Sequence, residues 1–70
     1  MVTTTTTKAV KFHGWSLPAG SKIRVYEMWT EFDYTTVSAY ADHEGTQWCV
    51  AVPFDAVPDK VRAKLPHKYA

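Results

Sequence analysis

The chain has 70 residues, 46% of them hydrophobic and 14% aromatic, with a net charge of +1 and a single cysteine. This limits it to one small domain, rules out an intramolecular disulfide and argues against intrinsic disorder. No apolar run reaches membrane-spanning length, the opening MVTTTTTK has no hydrophobic signal region, and the basic excess of a dedicated nucleic-acid binder is absent. A cytoplasmic protein carrying one free thiol is expected.

Residues 1–7 are dominated by five consecutive threonines. Threonine favours strands, but a run without apolar partners specifies no register, so a flexible N-terminus is expected. A short strand follows over residues 8–12, with Val10 and Phe12 on one side and Lys11 on the other, and His13-Gly14 breaks it. Pro18 and Gly20 then make a turn with Leu17 tucked beneath it. Residues 22–29, KIRVYEMW, alternate as a half-buried strand led by Ile23 and Val25. Glu27 falls on the apolar parity, which a β-bulge or an early strand end would turn outward. Residues 29–33, WTEFD, read as a connecting loop.

A hairpin over residues 34–52 organises the rest. Its arms, YTTVSAYA and TQWCVAV, are separated by a turn containing Asp42, Glu44 and Gly45. A loop of two or four residues puts Val37, Ala39 and Ala41 on one face with Trp48, Val50 and Val52; an odd loop mixes both faces. The even loop is therefore expected. Pro53 ends the second arm and residues 54–57 form a tight corner. Residues 58–65, PDKVRAKL, read as a short helix with Pro58 at its start and Val57, Val61 and Leu65 as an inward stripe, docked on the sheet. Residues 66–70 read as a tail.

Several short strands and one late helix predict a mainly β fold, a small, strongly bent antiparallel barrel spanning residues 8–57. The stretches LPAGSKIRV (17–25), DHEG (42–45) and WCVAVPFDAV (48–57) resemble the layout of SH3-like barrels: a Leu-Pro-x-Gly turn into a strand, a hairpin, and a strand breaking at a short corner. The resemblance is one of pattern. The ALYDY-type motif of the proline-binding subclass is missing, so that subclass's binding residues do not carry over, and the fold alone implies no function.

No catalytic motif is present: there is no phosphate-binding glycine loop, GxSxG, HExxH or CxxC. No catalytic residue, metal ligand or cofactor is assigned. Asp42, His43 and Glu44 form an exposed turn, and Cys49 lies opposite the core on the even register. The unusual feature is the surplus of aromatics. Trp48 and Phe54 are expected to fill the core with Val10, Phe12, Ile23, Val25, Val37 and Val50. Tyr26, Trp29, Phe32, Tyr34 and Tyr40 are then left either to pack beneath the terminal segments or to form a binding surface. The second alternative describes a non-enzymatic protein-interaction module, with Glu27, Glu31 and Asp33 favouring a partner with basic residues. An accessory or inhibitor protein of a mobile element is one setting for such a chain. A competing reading is a binder of single-stranded nucleic acid. There the tyrosines would stack on bases while Lys22, Arg24, Lys60, Arg62 and Lys64 hold phosphates. A third is a homo-oligomer, such as a homodimer, whose aromatics meet across a two-fold.

Overall fold

The structure, a computed structural model, describes residues 1–70. Its frame is an antiparallel meander of three strands, β4 (Lys22–Glu31), β5 (Tyr34–His43) and β6 (Thr46–Pro53). The β5–β6 turn holds two residues, Glu44 and Gly45, with φ of 51° and 77°. Positive φ at both positions is the twist-matched hairpin turn, and Gly45 adopts it without steric cost. The even loop sets the expected register: Val37 faces Val52, Ala39 faces Val50 and Ala41 faces Trp48.

The β-bulge is also present. Val25 faces Ala39 but Glu27 faces Ser38, so Tyr26 is the extra residue. Before it, Ile23 and Val25 point to the core; after it the parity flips, Met28 opposes Val37, and Glu27 leaves the core face. The bulge thus resolves the conflict created by a carboxylate at an apolar position.

The other expectation for this strand is corrected. Residues 29–33 are not a connecting loop. β4 runs on to Glu31, which pairs with Tyr34 across the two-residue turn Phe32-Asp33. Phe32 takes a φ of 57° and is 95% exposed. Pairing of Trp29 with Thr36 and Thr30 with Thr35 carries the ladder through the segment.

Both termini are strands as well. The threonine run is not a frayed tail: β1 (Val2–Thr5) pairs antiparallel with the first half of β4. Thr6 beyond it is buried, its hydroxyl donating to Pro18 O (3.1 Å) and accepting from Ser21 N (3.1 Å). Thr7 follows, donating from N to Ala56 O (2.9 Å) and from Oγ1 to Asp55 O (2.8 Å). The run acquires its register from these distant partners, which no local pattern encodes. Likewise, residues 66–70 are not a free tail. β7 (His67–Tyr69) pairs parallel with the second half of β4, so the two termini share one edge.

One face of the sheet is covered. A two-stranded ribbon, β2 (Val10–Lys11) with β3 (Ser16–Leu17), lays Val10 and Leu17 on it. A 3₁₀ corner (Phe54–Ala56) adds Ala56 and Val57, and α1 (Asp59–Arg62) with the turns after it brings Val61 and Leu65 against the same core. The helix is shorter than residues 58–65, but its apolar stripe docks as the spacing implies. Ten of the eleven buried residues are aliphatic and none is aromatic, which corrects the expected core. Trp48 is 45% exposed because β6 lies at the sheet edge, and Phe54 is 48% exposed because it opens the corner. The ends of the β1–β4–β5–β6 path do not pair with each other, so the sheet is open. No helix is long and apolar enough to cross a membrane.

Two consequences are measurable by circular-dichroism melts. Val37→Asp, at a fully buried position, unfolds the domain, because a net stability of about 3–5 kcal/mol cannot absorb an unpaired buried charge. Ser38→Lys, which places its charge on the other face opposite Glu27, leaves the melting curve nearly in place. Deleting residues 1–5 lowers the melting temperature by about 4–8 °C for each kcal/mol of lost pairing; an unchanged melt would mean that β1 contributes nothing.

Candidate functional site: the uncovered sheet face

The second face of the sheet has no layer over it. Strand parity directs Lys22, Arg24, Glu27, Trp29 and Glu31 of β4 to this side, with Tyr34, Thr36, Ser38, Tyr40 and Asp42 of β5 and Gln47, Cys49 and Ala51 of β6. Tyr26, lifted out of the ladder by the bulge, stacks on Tyr40 with ring centroids 5.2 Å apart and planes 29° from parallel. The Tyr26 hydroxyl and Cys49 Sγ are 3.5 Å apart. This contact, with smaller contributions from burial and from the Cys49 and Tyr40 charges, pushes the Tyr26 pKa up to about 12. The hydrogen bond to Cys49 Sγ favours the protonated phenol of Tyr26.

Four of the five candidate aromatics therefore share one face. Tyr26 and Tyr40 form its centre, while Trp29 (39% exposed) and Tyr34 (64% exposed) continue it toward the β4–β5 turn. Phe32 stands apart at the tip of that turn. The question of whether the surplus aromatics pack beneath the terminal segments has a clear answer: β1 and β7 extend the sheet sideways through β4 and do not cover the face.

The basic candidates divide. Lys22 and Arg24 lie on the tyrosine face. Arg24 is committed to Gln47 Oε1 (2.9 Å) and Asp42 Oδ1 (3.4 Å). Lys60, Arg62 and Lys64 belong to the segment covering the other side. There the Arg62 guanidinium pairs with Asp59, donates to Phe54 O (3.0 Å) and lies 4.9 Å from the Phe54 ring centroid. The five residues do not form a single patch. Lys68, expected in a tail, is placed on the open face by the Trp29–Lys68 pairing of β7. The open face then carries Lys22, Arg24 and Lys68 against Glu27, Glu31 and Asp42, and these charges balance.

Two concavities flank these elements. One, of about 290 Å³, lies between β1, β4 and β5 and is lined by Thr3, Lys22, Arg24, Tyr40 and Asp42, among others. It opens beside the tyrosine stack. The other, of about 380 Å³, is on the covered side between Met28, Thr35, Phe54, Arg62 and His67. His67 there is held by Thr30 Oγ1 at Nε2 (2.6 Å) and Tyr69 OH at Nδ1 (3.2 Å). Nothing in the sequence signals this arrangement, because His67 and Tyr69 meet Thr30 only through parallel pairing across the chain. The DHEG turn is likewise split by parity. Asp42 turns to Arg24 on the open face, whereas His43 stacks on Trp15 at 4.4 Å on the other. No group of three or more His, Cys, Asp or Glu is gathered as a metal site. Cys49, which the sequence marks only as lying opposite the core, adjoins the tyrosine pair and is exposed.

Scans against protein-family models, curated proteins and solved structures give no match to this chain.

The raised Tyr26 pKa has a definite sign. The folded value lies above the ordinary 10.0, so its contribution to stability is complete below pH 10 and is lost as pH rises toward 12. In an ultraviolet titration one of the four tyrosines should ionise late, and stability should fall across that window. Cys49→Ala should return the late step toward 10. A late step unchanged in that variant would remove Cys49 as its cause.

Proposed function

We propose that the chain is a small, non-enzymatic protein-interaction module that binds a partner protein on the open sheet face. The single observation that supports this most is the uncovered Tyr26–Tyr40 stack in line with Trp29 and Tyr34. Large amphipathic rings on a rigid sheet provide contact area at little entropy cost, and such residues are enriched among interface anchors. The rings are already ordered by each other and by strand pairing, which lowers the cost of ordering them on binding. Glu31 and Asp33 beside Phe32 favour a partner that brings basic residues to the turn end, while the hollow beside Tyr40 accommodates a side chain.

The charge balance of the face weighs against single-stranded nucleic acid. A stacking platform for polyanions needs a basic groove, whereas here Arg24 is engaged by Asp42 and three acids offset three bases. The SH3-like layout belongs to this proposal too. It is supported by the turn entering β4, the two-residue hairpin and the 3₁₀ corner after β6. A cytoplasmic location and a role as an accessory or inhibitor protein of a mobile element complete the reading.

The test compares the wild-type chain with Trp29→Ala and Tyr40→Ala in capture from a native-host lysate and in titration of the captured partner. Each variant should keep the wild-type circular-dichroism spectrum and weaken binding by about 2 kcal/mol. The nucleic-acid reading demands instead an affinity for oligonucleotides that falls steeply with salt. Salt-sensitive retention of oligonucleotide without any protein partner, abolished by Lys22→Ala with Arg24→Ala, would overturn the proposal.

A further inference from the structure

The sheet has edges of unequal character. The outer edge of β4 is covered along both halves, by β1 and β7. The new edges that these create are short. β1 has four residues, and β7 has three and carries Lys68. Brevity and lysine are devices that stop edge strands from pairing with other chains. β6 has neither. It runs for eight residues, TQWCVAVP, pairs only with β5, and contains no charged side chain. Its only protection is Pro53 at the far end.

The register identifies which backbone groups are free. In a two-residue hairpin the residues flanking the turn, His43 and Thr46, form a hydrogen-bonded pair, and such pairs alternate along an antiparallel ladder. Trp48, Val50 and Val52 therefore turn their amides and carbonyls toward β5, and Gln47, Cys49 and Ala51 turn theirs outward. None of these three takes part in any backbone bond outside the ladders.

We propose that β6 is a homodimer interface, pairing antiparallel with β6 of a second copy about a two-fold axis at Cys49. The outward set is symmetric about this residue. Gln47 then faces Ala51 of the other copy and Cys49 faces its equivalent, so each outward amide meets a carbonyl and Pro53 stays outside the paired segment. On the core side the same register sets Trp48 opposite Val50 of the second copy, and Val50 opposite its Trp48. This provides a partner for the half-exposed Trp48, which has core parity but no strand beyond it. Aromatic and β-branched cross-strand neighbours are favourable pairs. The absence of charge along β6 means that two identical edges meet without repulsion. A two-fold contact must be complementary to itself, and this strand is. The inference is independent of what the aromatic face binds.

The full chain should sediment, under reducing conditions and with rising concentration, at twice its 7.9 kDa. A chain that stays monomeric at every concentration overturns the proposal. The register is read with the native thiol. Hydrogen-bonded antiparallel neighbours have Cα atoms about 5.5 Å apart, within the range of about 4.4–6.8 Å that a disulfide spans. Diamide, which accepts two electrons and two protons from two thiols, should therefore link the native dimer through Cys49 rapidly, and the linkage should collapse in denaturant. A sedimenting dimer that does not cross-link faster than the denatured chain would overturn β6 pairing. Ala51→Pro removes an outward amide without touching the β5 ladder, and should yield a folded monomer. If that variant folds as a dimer, the proposal is wrong. If it does not fold, the sedimentation and cross-linking of the wild-type chain decide.

Discussion

The aliphatic face formed by β4, β5 and β6 has to be buried, and the ribbon, the corner and the helix all pack on that one face. Val25, Val37, Ala39 and Val52 on that face are wholly inaccessible, closed over by Val10 and Leu17 on one side and Ala56 and Val57 on the other. Residues 1–70 place no layer over the other face. A small domain buries a low fraction of its surface, and none of the aromatics is among the fully buried residues. Small aliphatic side chains fit a thin core, while the rings are displaced to the rim and to the open face.

The bulge at Tyr26 connects this constraint to the candidate site. A regular β4 would carry Glu27 into the core and leave Tyr26 in the ladder. Inserting one residue turns Glu27 outward, brings Met28 to Val37, and frees Tyr26 to lie over Tyr40 and against Cys49. The same irregularity thus protects the core and assembles the centre of the open face. Bulges that redirect a side chain in this way are common next to functional surfaces.

The termini explain how so small a core holds. Thr6 bonds both to the Pro18 carbonyl and to the Ser21 amide, Thr7 ties the chain to the 3₁₀ corner, and Met28 N donates to Pro66 O (2.8 Å) where β7 begins. Lys8 and Asp55 add an ion pair at 2.7 Å, whose half-exposed groups make it a minor contributor. Beside these contacts, β1 and β7 add ladders of backbone pairing along β4. The two ladders stabilise with little apolar area and occupy the outer edge of β4, leaving β6 as the one long edge, guarded only by Pro53 at its end.

The sequence alone determined the faces and register of the β5–β6 hairpin, because a period of two leaves only even loops compatible with one apolar side. It also determined that Glu27 requires a bulge or an early strand end, and that Val57, Val61 and Leu65 point inward. Tertiary structure alone decided the rest. The threonine run and residues 67–69 became strands because β4 offered an edge, and an edge is a long-range property that no local pattern records. Trp48 has the parity of a core residue and lost that place to its position at the sheet's rim. Tyr26, Trp29, Tyr34 and Tyr40 were legible as a surplus. Their gathering on one open face was not, since it depends on which side of the sheet the covering segments choose.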